Sequence, residues 1–244
     1  RKDLGQRMKK AAEDKGDKVV ILSEATSSPT VAHLREQLSK RYKQLRWWDW
    51  EPVSRENELS EVPTQVLDGR YRVHFDLRRT DVIVSLDDDL FEAHPAALRL
   101  AREFADRRRR MDDERTMNRL YQIESGFTPT GSLADVRVPL QAGQILHFGL
   151  HLAAVLVQHE ALKGKTSDEL QKKLAEFATG PHADLVEQIA ADLIAARGKS
   201  VIAVGPRQPG ELHAVAHVLN GLLGNVDQTV RYTRAPEAGA GDLT

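Results

Sequence analysis

The sequence predicts an α/β protein in which helices flank a parallel sheet on both faces. Short apolar, β-branched runs of the kind found in strands buried on both faces alternate with segments of helical periodicity. This alternation is typical of β-α-β units, whose crossovers are right-handed. The chain has 244 residues, of which 41% are hydrophobic and 29% charged, so it is long enough to bury a substantial core.

The predicted elements follow from these two patterns in chain order. The apolar runs predict strands at 19–22, 45–50, 81–86, 119–124, 135–139, 201–205 and 229–232. Apolar residues at three- and four-residue spacing predict helices at 31–42, 95–109, 145–159, 166–178, 183–196 and 211–223. Pro29 suits a first helical turn, Pro139 closes a strand, and Gly224 marks the end of the last helix. The polar segment 54–72 shows neither period and is predicted to be a long loop.

Three parts of the chain are predicted from its composition. Residues 1–17 are a charged lead-in, 18–234 form the α/β domain, with two lobes that would meet near 140–180, and 235–244 are a linker of small residues. The chain begins with Arg1 and not with Met, which suggests a segment of a longer protein.

Composition also excludes several kinds of site. The 35 Lys and Arg residues balance the 36 Asp and Glu residues, so no overall basic field favours nucleic acid. Without cysteine, these residues cannot form disulfides, thiolate metal sites or cysteine-ligated iron–sulfur clusters. The most apolar run, 145–157, is too short to span a bilayer.

Candidate site residues lie where predicted strands end, because ligands of open α/β sheets bind outside the carboxyl ends of the strands. They are Ser23, Ser27, Asp87, Asp88, Glu124, Gly205 and Gln208. They would bind a cofactor only if the chain holds a nucleotide or pterin. The glycine-rich phosphate-binding fingerprints of dinucleotide-binding proteins and of P-loop proteins are both absent. The local alternatives are a hydroxyl group of 23–28 that caps the next helix, and a solvated strand end at 87–89.

Other motifs have simpler structural interpretations. Two histidine pairs have the i, i+4 spacing that can serve a metal on a helix: His147 with His151, and His213 with His217. No third ligand is evident, so we assign no metal site. The tryptophans, all within 47–50, are interpreted as buried and not as a stacking platform. No catalytic motif is visible, and no catalytic residue is assigned.

Three segments, taken together in order and spacing, resemble molybdopterin oxidoreductases. They are 81–89 (DVIVSLDDD), 124–139 with its ESG and TGSLADVRVP, and 200–225. More narrowly, 45–52 (LRWWDWEP) and 118–121 are similar to the molybdopterin-like half of the iron–sulfur subunit of bacterial alternative complex III, a membrane-associated quinol-oxidising complex. The resemblance covers about residues 18–234.

The resemblance implies Rossmann-like lobes of the formate dehydrogenase and DMSO reductase type. Acidic residues at 87–89 replace glycines that approach the cofactor phosphates in that family, and cysteine is absent. It therefore implies a cofactor-free scaffold of a respiratory electron-transport subunit. The alternatives are a molybdopterin-guanine-dinucleotide-binding lobe of an active oxidoreductase and an unrelated nucleotide-binding α/β module.

The same resemblance implies the partners and the location. The partners would be the C-terminal iron–sulfur half of the same polypeptide, which carries the clusters, and other subunits of the complex. The location would be the periplasmic face of a bacterial membrane. Neither nucleic acid binding nor a membrane span is expected.

Overall fold

The computed structural model describes residues 2–17, 19–51, 54–109 and 117–235, and it divides the chain into two compact units. The smaller unit is Arg1–Ser54 with Ala235–Thr244, and the larger is Arg55–Arg234. Residues 140–180, where the sequence suggests a lobe boundary, lie wholly in the larger unit. Apart from Ala235, the predicted linker lies outside the described residues.

The smaller unit contains one β-α-β motif preceded by a helix. In chain order its elements are α1 (Lys2–Glu13), β1 (Val20–Ser23), α2 (Pro29–Arg41) and β2 (Arg46–Asp49). The two strands pair in parallel, as predicted. The Ser28 side chain accepts a hydrogen bond from the backbone N–H of Val31, and Pro29 occupies the first turn. The hydroxyl-rich segment therefore starts the helix, as the capping interpretation predicts.

A four-stranded parallel sheet, in the order β6-β5-β4-β7, lies at the centre of the larger unit. Its strands are β4 (Val82–Leu86), β5 (Arg119–Glu124), β6 (Val136–Pro139) and β7 (Ser200–Val204). Every residue of β4 and β7 is buried, as predicted for strands covered on both faces. The predicted α/β class is confirmed, and the sheet with its flanking helices is consistent with a Rossmann-like fold.

Helices and the antiparallel pair of β3 with β8 cover the two faces of this sheet. The other elements of the larger unit are β3 (Tyr71–Phe75), β8 (Val230–Arg234), α3 (Glu61–Leu67), α4 (Ala97–Arg109), α5 (Pro129–Ser132), α6 (Ala142–Gln158), α7 (Asp168–Ala175), α8 (Ala183–Ala195) and α9 (Gly210–Leu222). On one face α6, α8 and α9 bury Ile145, Ile189 and Leu212 completely. On the other, α4 and the β3–β8 pair bury Leu100 and Phe75.

The prediction of a long loop at 54–72 is wrong. The segment contains a 3₁₀ turn, Glu56–Leu59, then α3 and the start of β3, which pairs antiparallel with β8. Seven residues, with Pro63 among them, are too few to show a helical period, and α3 is held by packing against α9. Within the described part of the chain, no helix has the length and apolar character needed to cross a membrane.

Candidate functional site

The strand order of the larger sheet reverses between β4 and β7, and ligands of open α/β sheets bind at such a switch point. Gly205 follows β7 there, and its backbone N–H donates to the carbonyl of Leu86 at 2.9 Å. A Cβ atom at Gly205 would lie 1.9 Å from the backbone oxygen of Asp87. Glycine at this position therefore allows the backbone segments that follow β4 and β7 to approach closely, and the close approach is to backbone and not to a phosphate.

Asp87 joins three strand ends. One carboxylate oxygen accepts hydrogen bonds from the Ser125 backbone N–H (2.9 Å) and hydroxyl (3.0 Å), and the other accepts one from the Gln208 side-chain amide (2.9 Å). Asp87 has a positive φ of 61°, which aspartate tolerates better than most residues. The structure thus brings Asp87, Gly205 and Gln208 together in a polar cluster. Both Asp87 carboxylate oxygens are paired there, whereas the Gln208 side-chain oxygen is buried without a hydrogen-bond partner among the described residues.

Glu124 belongs to a neighbouring ion pair. It is completely buried, and its carboxylate accepts hydrogen bonds from Arg137 Nε and from the Thr128 hydroxyl at 2.5 Å. A Cβ atom at Gly131 would lie 2.1 Å from this carboxylate, so the side chain fills the space against α5. Its charge is compensated within the protein, which makes Glu124 an anchor for the short helix.

Ser23 and Ser27 belong to the smaller unit, whereas the five other candidates belong to the larger unit. The Ser23 hydroxyl donates to Asp49 and accepts from the Trp47 indole N–H, both at 2.9 Å. Arg35 donates to Asp49 at 2.7 Å and lies over the Trp47 ring. Ser23 therefore takes part in a network that ties β1 to β2 and α2, and Ser27 is exposed.

Asp88 lines a small polar cavity of about 30 Å³ inside the larger unit. The other polar residues of its lining are Arg55, Glu58, His94, His213, His217 and Asn220. The volume suits one water molecule. Among these, Nε2 of His213 is buried without a hydrogen-bond partner in the described chain. Sequence reasoning found Asp88 and the 213/217 pair but missed Arg55, Glu58 and His94, two of which lie in the segment predicted to be a loop.

Burial sets the charge state of this cluster. It raises the pKa of Asp88 to about 8, although Arg55 opposes the shift. Burial also lowers the pKa of His94, His213 and His217 to about 4 each. At neutral pH the lining therefore contains a protonated carboxylic acid and uncharged imidazoles beside the ion pair of Arg55 with Glu58. Such a set of groups can hydrogen-bond water, and over the described ranges no group of three His, Cys, Asp or Glu side chains could hold a metal ion.

The two histidine pairs have different surroundings. On α9, His217 lies edge-on to Tyr232, whose hydroxyl is 3.2 Å from His217 Nδ1. On α6, His147 and His151 both line a separate cavity of about 620 Å³. Comparison with known proteins adds no assignment: no protein-family model matches the chain, and no curated protein is detectably similar to it in sequence.

Proposed function

We propose that the chain is a cofactor-free scaffold and docking domain of a molybdopterin-oxidoreductase-like subunit in a bacterial respiratory complex that oxidises quinol. The observation that supports the cofactor-free part of the proposal is that the chain itself occupies the switch point between β4 and β7. There, Asp87 uses both carboxylate oxygens on Ser125 and Gln208, and Gly205 lies against the Asp87 backbone. The pyrophosphate of a dinucleotide cofactor would have to occupy the same place.

The residues present do not fit a pyrophosphate group. The backbone N–H of Asp87 donates to Ile123, and that of Ser125 donates to Asp87, so neither is available to a phosphate. The carboxylate of Asp87 would repel a phosphate at short range. A ligand would have to break this cluster before it could bind, which favours a scaffold over a dinucleotide-binding lobe.

A groove in the larger unit supports the docking part of the proposal. Helices α3, α6, α7 and α9 enclose an almost wholly apolar groove of about 470 Å³. On its α3 side Val62 and Val66 are 39% and 45% exposed. Lys173 and Glu211 lie in the lining and offer one charge of each sign. The occupant that we propose is an amphipathic helix of the cluster-bearing half of the same subunit, since such helices bind apolar grooves through one face.

The cofactor-free part is tested by molybdenum and pterin analysis of the longest polypeptide that contains this chain, made in a host that synthesises the cofactor. We expect neither in stoichiometric amount. Stoichiometric molybdenum and pterin would overturn the scaffold proposal and establish a catalytic lobe.

The docking part is tested by Val66→Asp, which places a charge in the groove. We expect it to reduce recovery of the cluster-bearing half in the assembled complex by about tenfold or more. The matched control is Leu98→Asp on α4. The Leu98 side chain is 91% exposed, and it does not belong to the groove lining. Equal recovery with both variants would rule out this groove as the docking face.

A further inference from the structure

A cavity of about 620 Å³ lies beside the first turns of α6, close to the carboxyl end of β6. Its lining comes from α6, from Leu140 just before it, and from the segment 176–182 that follows α7. The volume lies within the range of small-molecule sites, and the cavity lies at the edge of the sheet away from the switch point between β4 and β7. None of the polar residues that line this cavity belongs to the switch-point cluster or to the apolar groove.

The N-terminus of α6 forms one end of this cavity. This helix has 17 residues, and the side chain of Gln141, which precedes it, makes no capping hydrogen bond. Backbone N–H groups of the first turn therefore give this end a partial positive charge without a capping side chain. Gly143 lies in the lining, and nothing lies within 4 Å of the position that its Cβ would take.

His151 is an independent indication of a ligand. Its ring lines the cavity two turns along α6, and the residue is only 4% exposed. Its Nδ1 atom is buried and has no hydrogen-bond partner among the described residues. Gly180 lies beside this atom, and a Cβ there would approach Nδ1 to 3.1 Å. An unpaired buried polar atom destabilises the fold, and a bound molecule that displaces Gly180 and pairs with the imidazole would remove that cost.

Aromatic rings form the walls of the same cavity. Phe148 is buried on α6, and Phe177 lies opposite, with the His147 ring edge-on to it at a centroid distance of 6.2 Å. Ring edges and faces of this kind favour a planar aromatic guest. Glu176 also lies in the lining, but it is exposed, so its carboxylate is at the solvent side of the cavity. His182 borders the cavity as well.

We propose that this cavity binds a small planar aromatic molecule that carries an anionic group, a carboxylate or a phosphate. The ring lies against Phe148 and Phe177, and the anionic group lies at the N-terminus of α6. The proposal is independent of the scaffold function, because the two sites share no polar residue.

The test uses 1-naphthoate as the probe and isothermal titration calorimetry of the full chain as the readout. Uncharged 1-naphthalenemethanol has the same ring system without the anion, and octanoate has the anion without the ring. We expect naphthoate to bind at least about tenfold more tightly than either one. The naphthyl phosphate, compared with the carboxylate, identifies the preferred anion. Equal affinity for the alcohol would overturn the anionic part, and equal affinity for octanoate the aromatic part.

Gly143→Leu is the variant that fills the cavity, since the space around its Cβ position is open. We expect it to weaken naphthoate binding by about tenfold or more. The matched control is Gly221→Leu on α9, whose Cβ position is equally open and which lies outside the cavity lining. His151→Phe keeps a ring and removes the nitrogens, and we expect a loss of about fivefold. No binding by the wild-type chain, or equal binding by the two leucine variants, would overturn the site.

Discussion

Asp88 is a carboxylic acid almost wholly withdrawn from water, at 2% exposure, in a cavity that it shares with three imidazole groups. Its ordinary pKa of 3.8 rises to about 8 because burial disfavours the charged form. Between those two pH values the folded chain keeps a proton that the unfolded chain has lost. The free energy of unfolding therefore falls as pH rises through this window.

The three buried histidines act in the opposite direction. Their pKa values, about 4 in the folded chain against 6.5 ordinarily, make the unfolded chain the better proton binder between pH 4 and 6.5. Stability therefore rises with pH in that interval. Above about pH 6.5 the histidine contributions no longer change, and the raised pKa of Asp88 makes stability fall up to about pH 8. Burial also raises the pKa of Glu58 in the same lining, which acts in the same direction as Asp88.

We predict that stability is greatest near pH 6.5 and declines by up to about 2 kcal/mol towards pH 8. Asp88→Asn should abolish the decline, because the amide does not titrate. Urea denaturation at pH values from 5 to 9 measures both curves. Asp106→Asn, at a more exposed position on α4, is the control and should keep the decline. A decline that persists in Asp88→Asn would contradict the assignment.

The three consecutive aspartates show what sequence could predict at this scale. A solvated strand end at 87–89 was one interpretation of the sequence, but Asp87 and Asp88 are only 8% and 2% exposed. Which of them would be buried was not predictable, because the cavity around Asp88 is completed by Arg55 and His94 from elsewhere in the chain. The local pattern carries no information on such distant neighbours.

At the scale of elements, α9 supports an edge strand through one side chain. Strand β7 is at the edge of the four-stranded sheet, and its Ile202 has both backbone groups bonded to Asn220. The Asn220 oxygen accepts from the Ile202 N–H at 3.1 Å, and its amide donates to the Ile202 carbonyl at 2.9 Å. The side chain thus pairs with both backbone groups of Ile202, as a neighbouring strand would. The side chains of Asn225 and Thr229 pair with the backbone groups of Ser200.

We predict that Asn220→Ala lowers the free energy of unfolding by about 2–4 kcal/mol, because two buried backbone groups lose their partners. Hydrogen exchange should show the Ile202 amide losing most of its protection. Gly221→Ala is the adjacent control: nothing lies within 4 Å of its Cβ position, and helix propensity makes it neutral or slightly stabilising. Unchanged protection at Ile202 in Asn220→Ala would show that the side chain is dispensable.

Elements were predictable where the local period is long and uninterrupted. Strand β5 was predicted at 119–124, where the structure has it, and α8 differs from its prediction by one residue. Helix α3 was missed because it is short and is stabilised by α9, and β3 because its partner β8 lies far along the chain. Both depend on contacts that a window of ten residues does not contain.

At the scale of the molecule, the larger unit has the properties of an independent domain. It contains two clusters of buried apolar side chains, one on each face of its sheet. The α/β class of this unit was predictable from the alternation of strands and helices. The division of the chain after Ser54 was not, because it is defined by the packing within each unit and not by a change in composition.

We predict that residues 55–234, expressed alone, unfold in a single cooperative thermal transition with native far-ultraviolet circular dichroism. Both core clusters, and the strands and helices that form them, lie within this segment. The full chain, melted under the same conditions, is the reference. A broad transition without cooperativity would show that the larger unit depends on residues outside it.

The antiparallel pairing of β3 with β8 has a consequence for the chain during its synthesis. Strand β3 leaves the ribosome early, whereas β8 is the last element of the larger unit. At ordinary rates of translation β3 waits on the order of ten seconds for its partner. During that delay Tyr71 and Phe75 belong to an unpaired strand. Unpaired strands of this kind can pair with other chains and aggregate, and chaperones protect them until their partner strand is made.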